Sequence, residues 1–112
     1  MSEQRAITVD VAGLAPGCVR AVEAEGRRLL LCNAFGRFYA LENRCPHLGI
    51  PLDGGRLEGF TLECPLHGGR LDVRDGTPQA LPIRRRAVTF AVREVQGGIE
   101  IDPSEEDTAC TT

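Results

Sequence analysis

Ala87-Val88-Thr89-Phe90-Ala91-Val92-Arg93-Glu94-Val95, followed by Gln96-Gly97-Gly98 and then Ile99-Glu100-Ile101, is the stretch whose reading decides the fold. Apolar residues, many β-branched, alternate with small or charged ones, Gly97-Gly98 supplies a turn, and alternation resumes after it, which predicts an antiparallel hairpin. Upstream, the same texture recurs in Ala6–Val11, in Cys18–Glu23, in Arg27–Asn33 after a Glu25-Gly26 turn, and in Arg37–Leu41 after a Phe35-Gly36 turn. Between Asn43 and Gln79 it changes. Prolines and glycines crowd this segment, and only Thr61-Leu62-Glu63 and Arg70-Leu71-Asp72-Val73 read as short strands. The expected fold class is all-β: roughly ten short strands in a small antiparallel barrel or sandwich, with the 43–82 segment inserted as a subdomain of loops. Residues 1–102 form one domain in this reading, and the acidic stretch 103–112 a disordered tail.

Composition narrows the function. In 112 residues, 42% are apolar and 4% aromatic, and the net charge is −3, so no general basic field exists for nucleic acid. All 13 basic residues are Arg, which removes Schiff-base and P-loop lysine chemistry. The longest apolar run, Leu29-Leu30-Leu31-Cys32, is too short to cross a bilayer, and Met1-Ser2-Glu3-Gln4-Arg5 carries no apolar leader. The expectation is a soluble, cytoplasmic protein with no membrane partner.

The chemistry lies in the cysteines and histidines. Five cysteines cannot form a complete disulfide framework, and motif spacing in a cytosolic chain favours metal ligation. Both histidines sit close to a cysteine: Cys45-Pro46-His47, then 16 residues, then Cys64-Pro65-Leu66-His67. Thiolate together with imidazole suits zinc, iron or iron–sulfur. Gly49, Gly54 and Gly55 after the first pair, and Gly68-Gly69 after the second, let the backbone turn tightly around an inorganic body. Cys18 and Cys32 lie in strand-like runs and are expected in the core; Cys110 is expected as an exposed thiol in the tail.

Cys45-Pro46-His47-Leu48-Gly49 and Cys64-Pro65-Leu66-His67-Gly68 resemble the Rieske motif. The resemblance runs from about Arg37 to Ile101 and includes Leu52, Gly55, Leu57 and Gly59 between the loops, Asp72 and Gly76 after them, and Pro82 in a third loop. It implies one [2Fe–2S] cluster per chain, with Cys45 and Cys64 on one iron and His47 and His67 on the other. Two neutral imidazoles in place of two thiolates raise the potential, from roughly −400 mV to about −150 to +300 mV. High-potential members carry an extra disulfide and Ser and Tyr hydrogen-bond donors beside the cluster. Here the matching positions are Ile50 and Leu66 for the disulfide, and Gly69 and Leu71 for the donors, which implies a potential near the low end.

The whole chain resembles the stand-alone Rieske ferredoxins of bacterial multicomponent oxygenases in aromatic hydrocarbon catabolism. The resemblance implies a monomeric one-electron carrier rather than an enzyme, its partners a flavin-dependent ferredoxin reductase and a terminal oxygenase, either a dioxygenase or a diiron monooxygenase. Two other readings stay open at this point: a small subunit of NADH-dependent nitrite reductase, and a structural zinc module. Arg84-Arg85-Arg86 reads as a solvated loop or as a steering patch for an acidic partner. Leu48, Pro65, Leu66 and Pro82 read as a cover that keeps water from the cluster and offers an apolar docking cap.

Overall fold

The computed structural model describes residues 7–24, 26–46, 49–65 and 68–106. Every regular element among them is a strand: β1 (Ile7–Val9), β2 (Val19–Ala24), β3 (Arg27–Ala34), β4 (Arg37–Glu42), β5 (Arg56–Glu58), β6 (Thr61–Glu63), β7 (Arg70–Asp72), β8 (Pro78–Ala80), β9 (Thr89–Val95) and β10 (Gly98–Glu106). They form a six-stranded sheet in the order β1-β10-β9-β4-β3-β2 and a four-stranded sheet in the order β5-β6-β7-β8. All strand pairs are antiparallel. The all-β class holds, with the small sheet inserted between β4 and β9. No helix among the described residues is long and apolar enough to span a membrane.

The run Leu29–Cys32 belongs to a strand buried on both faces, the circumstance in which alternation disappears from sequence. Leu30, Cys32 and Ala34 join Leu41 and the small sheet's Leu57, Leu62 and Leu71 in one core; Leu29 and Leu31 join Ala40, Phe90, Ile99 and Ile101 in another. The first core also holds Cys45 and Cys64. The larger sheet is therefore the platform on which the small one is seated.

The β3–β4 turn ties the two sheets together. Phe35 and Gly36 both have positive φ (59° and 89°), the signature of a tight two-residue hairpin turn. Asn33 Oδ1 accepts from Gly36 N at 2.8 Å. Phe35 is thereby projected onto Phe60, edge to face at 5.0 Å, while Arg74 covers the same ring at 3.9 Å. Arg74 is in turn gripped by Asp72, whose carboxylate accepts at 3.0 and 2.7 Å and holds the guanidinium pKa above its ordinary value.

Several expectations need correction. Cys18 is exposed, not in the core, because it precedes β2 rather than lying in it. Ala87-Val88 precede β9, and strands β5 and β8 were not apparent from local pattern. β10 continues to Glu106, across the expected tail boundary at 103, after a register shift that pairs Glu106 with Phe90. Cys110, with the rest of 107–112, lies outside the described residues.

Cys32 is enclosed, and burial pushes its thiol from 9.0 up to about 12. A raised pKa leaves less thiolate at any given pH, so alkylation of the folded protein should modify Cys18 and spare Cys32 until denaturant is added. Peptide mass spectrometry reads this directly. Equal labelling of the two in the folded state would contradict the two-sided burial of β3.

Candidate metal centre

Each of two loops presents a cysteine at its start. Cys45 follows β4 by a short link, and Cys64 follows β6 immediately. The loops close in the same way: Cys45 N donates to the carbonyl of Ile50 at 2.7 Å, and Cys64 N to the carbonyl of Gly69 at 2.7 Å, the same separation along the chain. Pro follows each cysteine, and a glycine with positive φ comes three residues after the proline, Gly49 (77°) and Gly68 (72°). Only the histidine position differs, one residue later in the second loop. This local equivalence was visible in sequence as a repeated Cys-Pro-x-x-Gly.

The stems are fixed from below. Asn43, 8% exposed, donates from Nδ2 to Asp53 Oδ1 at 3.2 Å and accepts at Oδ1 from Leu52 N at 2.7 Å, bracketing the first loop. Its place just before the Cys45 loop gave no sequence signal of this role. The loops approach each other: a Cβ on Gly54 would stand 3.9 Å from Pro65 Cβ and Cγ. The third loop leans on the second, with Pro82 Cδ 3.2 Å from the Cβ position of Gly69. Of the expected cover, Pro65 is exposed and Pro82 half-buried, and Leu81 beside it is 67% exposed.

Cys45 and Cys64 are 1% and 3% exposed, in one core with Leu52, Leu62, Leu71, Val73 and Ile83. No cysteine among the described residues is in a disulfide. His47 and His67, with Leu48 and Leu66, lie outside the described residues. Accordingly, among the described residues no group of three or more His, Cys, Asp and Glu gathers for a metal ion. What is placed is two water-shielded thiols in one core, on loops of equivalent closure. That fits an iron–sulfur cluster, whose sulfur ligands sit in enclosed, apolar surroundings.

An inserted β subdomain holding two such loops on an antiparallel platform defines a class of small iron–sulfur proteins. The family model described as the Rieske [2Fe-2S] domain matches residues 5–95. The ferredoxin component of the naphthalene 1,2-dioxygenase system of Pseudomonas putida is 35% identical over 96 residues, covering 86% of this chain and 92% of that protein. Its counterpart from Pseudomonas aeruginosa is 35% identical over 104 residues, 93% of this chain and 100% of that one. Among solved structures, the ferredoxin of carbazole 1,9a-dioxygenase from Nocardioides aromaticivorans IC177 is 31% identical with a TM-score of 0.82, covering 88% of this chain and 97% of its own. A chain in a complex of reduced oxygenase and oxidized ferredoxin of carbazole 1,9a-dioxygenase matches with a TM-score of 0.85 at 30% identity, covering 94% and 98%.

This chain belongs to the Rieske [2Fe–2S] family. Its cofactor is the Rieske cluster, and its role is that of an electron carrier rather than a catalyst. The structural zinc module gives way to that assignment.

Proposed function

We propose that this chain carries single electrons from an NAD(P)H-dependent flavin reductase to a terminal oxygenase of the aromatic-ring dioxygenase or diiron monooxygenase kind, as a cytoplasmic monomer. One observation carries the reading: two enclosed cysteines on loops of matching closure, in a chain that aligns with ferredoxin components over nearly their full length. When bound, the cluster supplies a one-electron redox couple. Cys45 and Cys64 would hold one iron, and His47 and His67 the other. Leu52, Leu62, Leu71 and Ile83 pack around the thiols and exclude water from them. The relatives named above are ferredoxin components, which favours this reading over the nitrite reductase subunit.

The surroundings of Cys64 support a low potential. Gly69 has no side chain to donate a hydrogen bond, and a Cβ there would come within 2.7 Å of Ile83 Cγ1. Leu71 is fully buried and apolar. Fewer donors stabilise the more negative, reduced cluster less, so the potential should fall near the low end of the Rieske range, at about −150 mV. The test is iron and sulfide analysis of the purified protein, with about two of each per chain expected, then a redox titration followed by electron paramagnetic resonance. An iron-free folded protein would end the carrier reading. A potential well above zero would end only the low-potential one.

A further inference from the structure

Building on the carrier reading, we propose that a cationic groove beside the Cys45 loop is a docking surface for an acidic protein partner, one that presents Asp and Glu side chains around its own point of electron exchange. Three backbone segments run side by side there: the start of β3, the end of β4, and residues 85–88. Asn43 N donates to the carbonyl of Arg28 at 3.0 Å, and Glu42 N to that of Val88 at 2.8 Å. Arg27, Arg28 and Arg44 line an open cleft of about 580 Å³, and Arg44, Arg85 and Arg86 a second of about 440 Å³. The two meet at Glu42, Arg44 and Gly49, and Cys45 and Pro46 contribute to the second.

Three of the five guanidinium groups are positioned by contacts that leave their charge standing. Arg27 lies over the Phe90 ring at 5.7 Å. Arg86 donates from Nε and Nη2 to the backbone carbonyl of Asp75, at 3.2 and 2.6 Å. Arg44 lies along Gly49, where a Cβ would come within 3.2 Å of its Nε. The ion pairs among the described residues join Arg56 to Glu58, Arg74 to Asp72 and Arg93 to Glu100, all outside the groove. Glu42 is the one carboxylate among the described residues that line it.

The whole chain carries a net charge of −3, so this groove inverts the overall sign next to a cluster ligand. A local field of that kind orients an oppositely charged protein before contact, and guanidinium forks match carboxylates in paired hydrogen bonds. A polynucleotide would meet the remaining negative surface, and Phe90, the one aromatic ring among the described residues that line the groove, is already covered by Arg27.

The test begins with reduced holoprotein in a stopped-flow instrument, mixed with hexacyanoferrate(III) or with hexaammineruthenium(III) at increasing salt. One electron leaves the protein and reduces the trivalent complex to its divalent form. For the wild type, the rate with the anionic oxidant should fall as salt rises, against the sense expected from net charge. The pair Arg28→Gln with Arg85→Gln should lower the low-salt rate at least about threefold and flatten its salt dependence. Arg37→Gln with Arg93→Gln changes net charge equally but lies outside the groove, and should behave as wild type. Equal losses in both pairs, or a wild-type rate that climbs with salt, overturn the proposal.

Titration with a hexaglutamate peptide, read from the amide NMR signals of Arg27, Arg28 and Val88, needs no electron transfer. Shifts centred on these residues support the groove. Equal shifts from a thymidine oligonucleotide at the same salt would assign it to nucleic acid and overturn the protein reading. A preparation that binds hexaglutamate there but lacks iron defeats the carrier reading and leaves the groove standing; a preparation with its cluster but neither effect does the reverse.

Discussion

Cys64→Ser is expected to purify without visible colour, its iron content lowered about tenfold or more, while Cys18→Ser retains the full wild-type spectrum. Cys64 is 3% exposed, begins the loop closed by its own N–H on Gly69, and packs among Leu62, Leu71 and Ile83. A serine hydroxyl there is a harder and far weaker ligand for iron than a thiolate. Loss of the cluster also removes binding free energy that counts towards folding, so the variant should melt at a lower temperature. Cys18 is exposed and ahead of β2, so its replacement touches neither core. Visible absorption, iron analysis and a thermal melt on the same preparations decide the matter. The same loss is expected for His67→Ala. A Cys64→Ser protein with full iron and an unchanged paramagnetic spectrum would remove Cys64 from the ligand set.

The contrast between Cys18 and Cys32 shows what was legible in the sequence. Local pattern placed both in strands, but whether a strand-like position is enclosed depends on what packs against it, which sequence does not contain. Cys32 and Cys45 are enclosed because the small sheet lies on β3 and β4; Cys18 is left outside because it falls just before β2 begins. The hairpins were readable from their turns, Phe35-Gly36 and Gly97-Gly98, since local turn chemistry sets their register. β5 and β8 were not. Each is three residues long, one includes Pro78, and both exist because β6 and β7 offer them hydrogen-bonding edges. Cys45 and Cys64 stood out by residue type and spacing. The Arg44 groove did not, because its segments are brought together only by the pairing of Asn43 with Arg28 and Glu42 with Val88.

Gly55→Ala should damage the subdomain severely. The glycine leads into β5, and its N–H donates to Leu52 O at 2.9 Å. A Cβ there would stand 2.1 Å from the carbonyl oxygen of Glu63, 3.3 Å from its carbonyl carbon and 3.1 Å from Leu52 O. All three are backbone atoms, so no rotamer change relieves the overlap. Relief requires displacing Glu63, which is paired with Arg56 across β5–β6 and is bonded directly to Cys64. Strain at this point is therefore delivered to the proposed ligand Cys64. Overpacking of this kind costs about 3 kcal/mol, and in a domain of this size each kcal/mol lowers the melting temperature by roughly 4–8 °C. Cluster content should fall with it. Gly54→Ala is the control one residue away: its Cβ would meet only Pro65 Cβ and Cγ at 3.9 Å, ordinary contact. Paired thermal melts, with absorbance read in the visible and circular dichroism in the far ultraviolet, should separate the two variants by more than about 10 °C. If both melt together with wild type, the β5–β6 backbone is not as close to residue 55 as described, and the route by which that glycine holds Cys64 in place is lost.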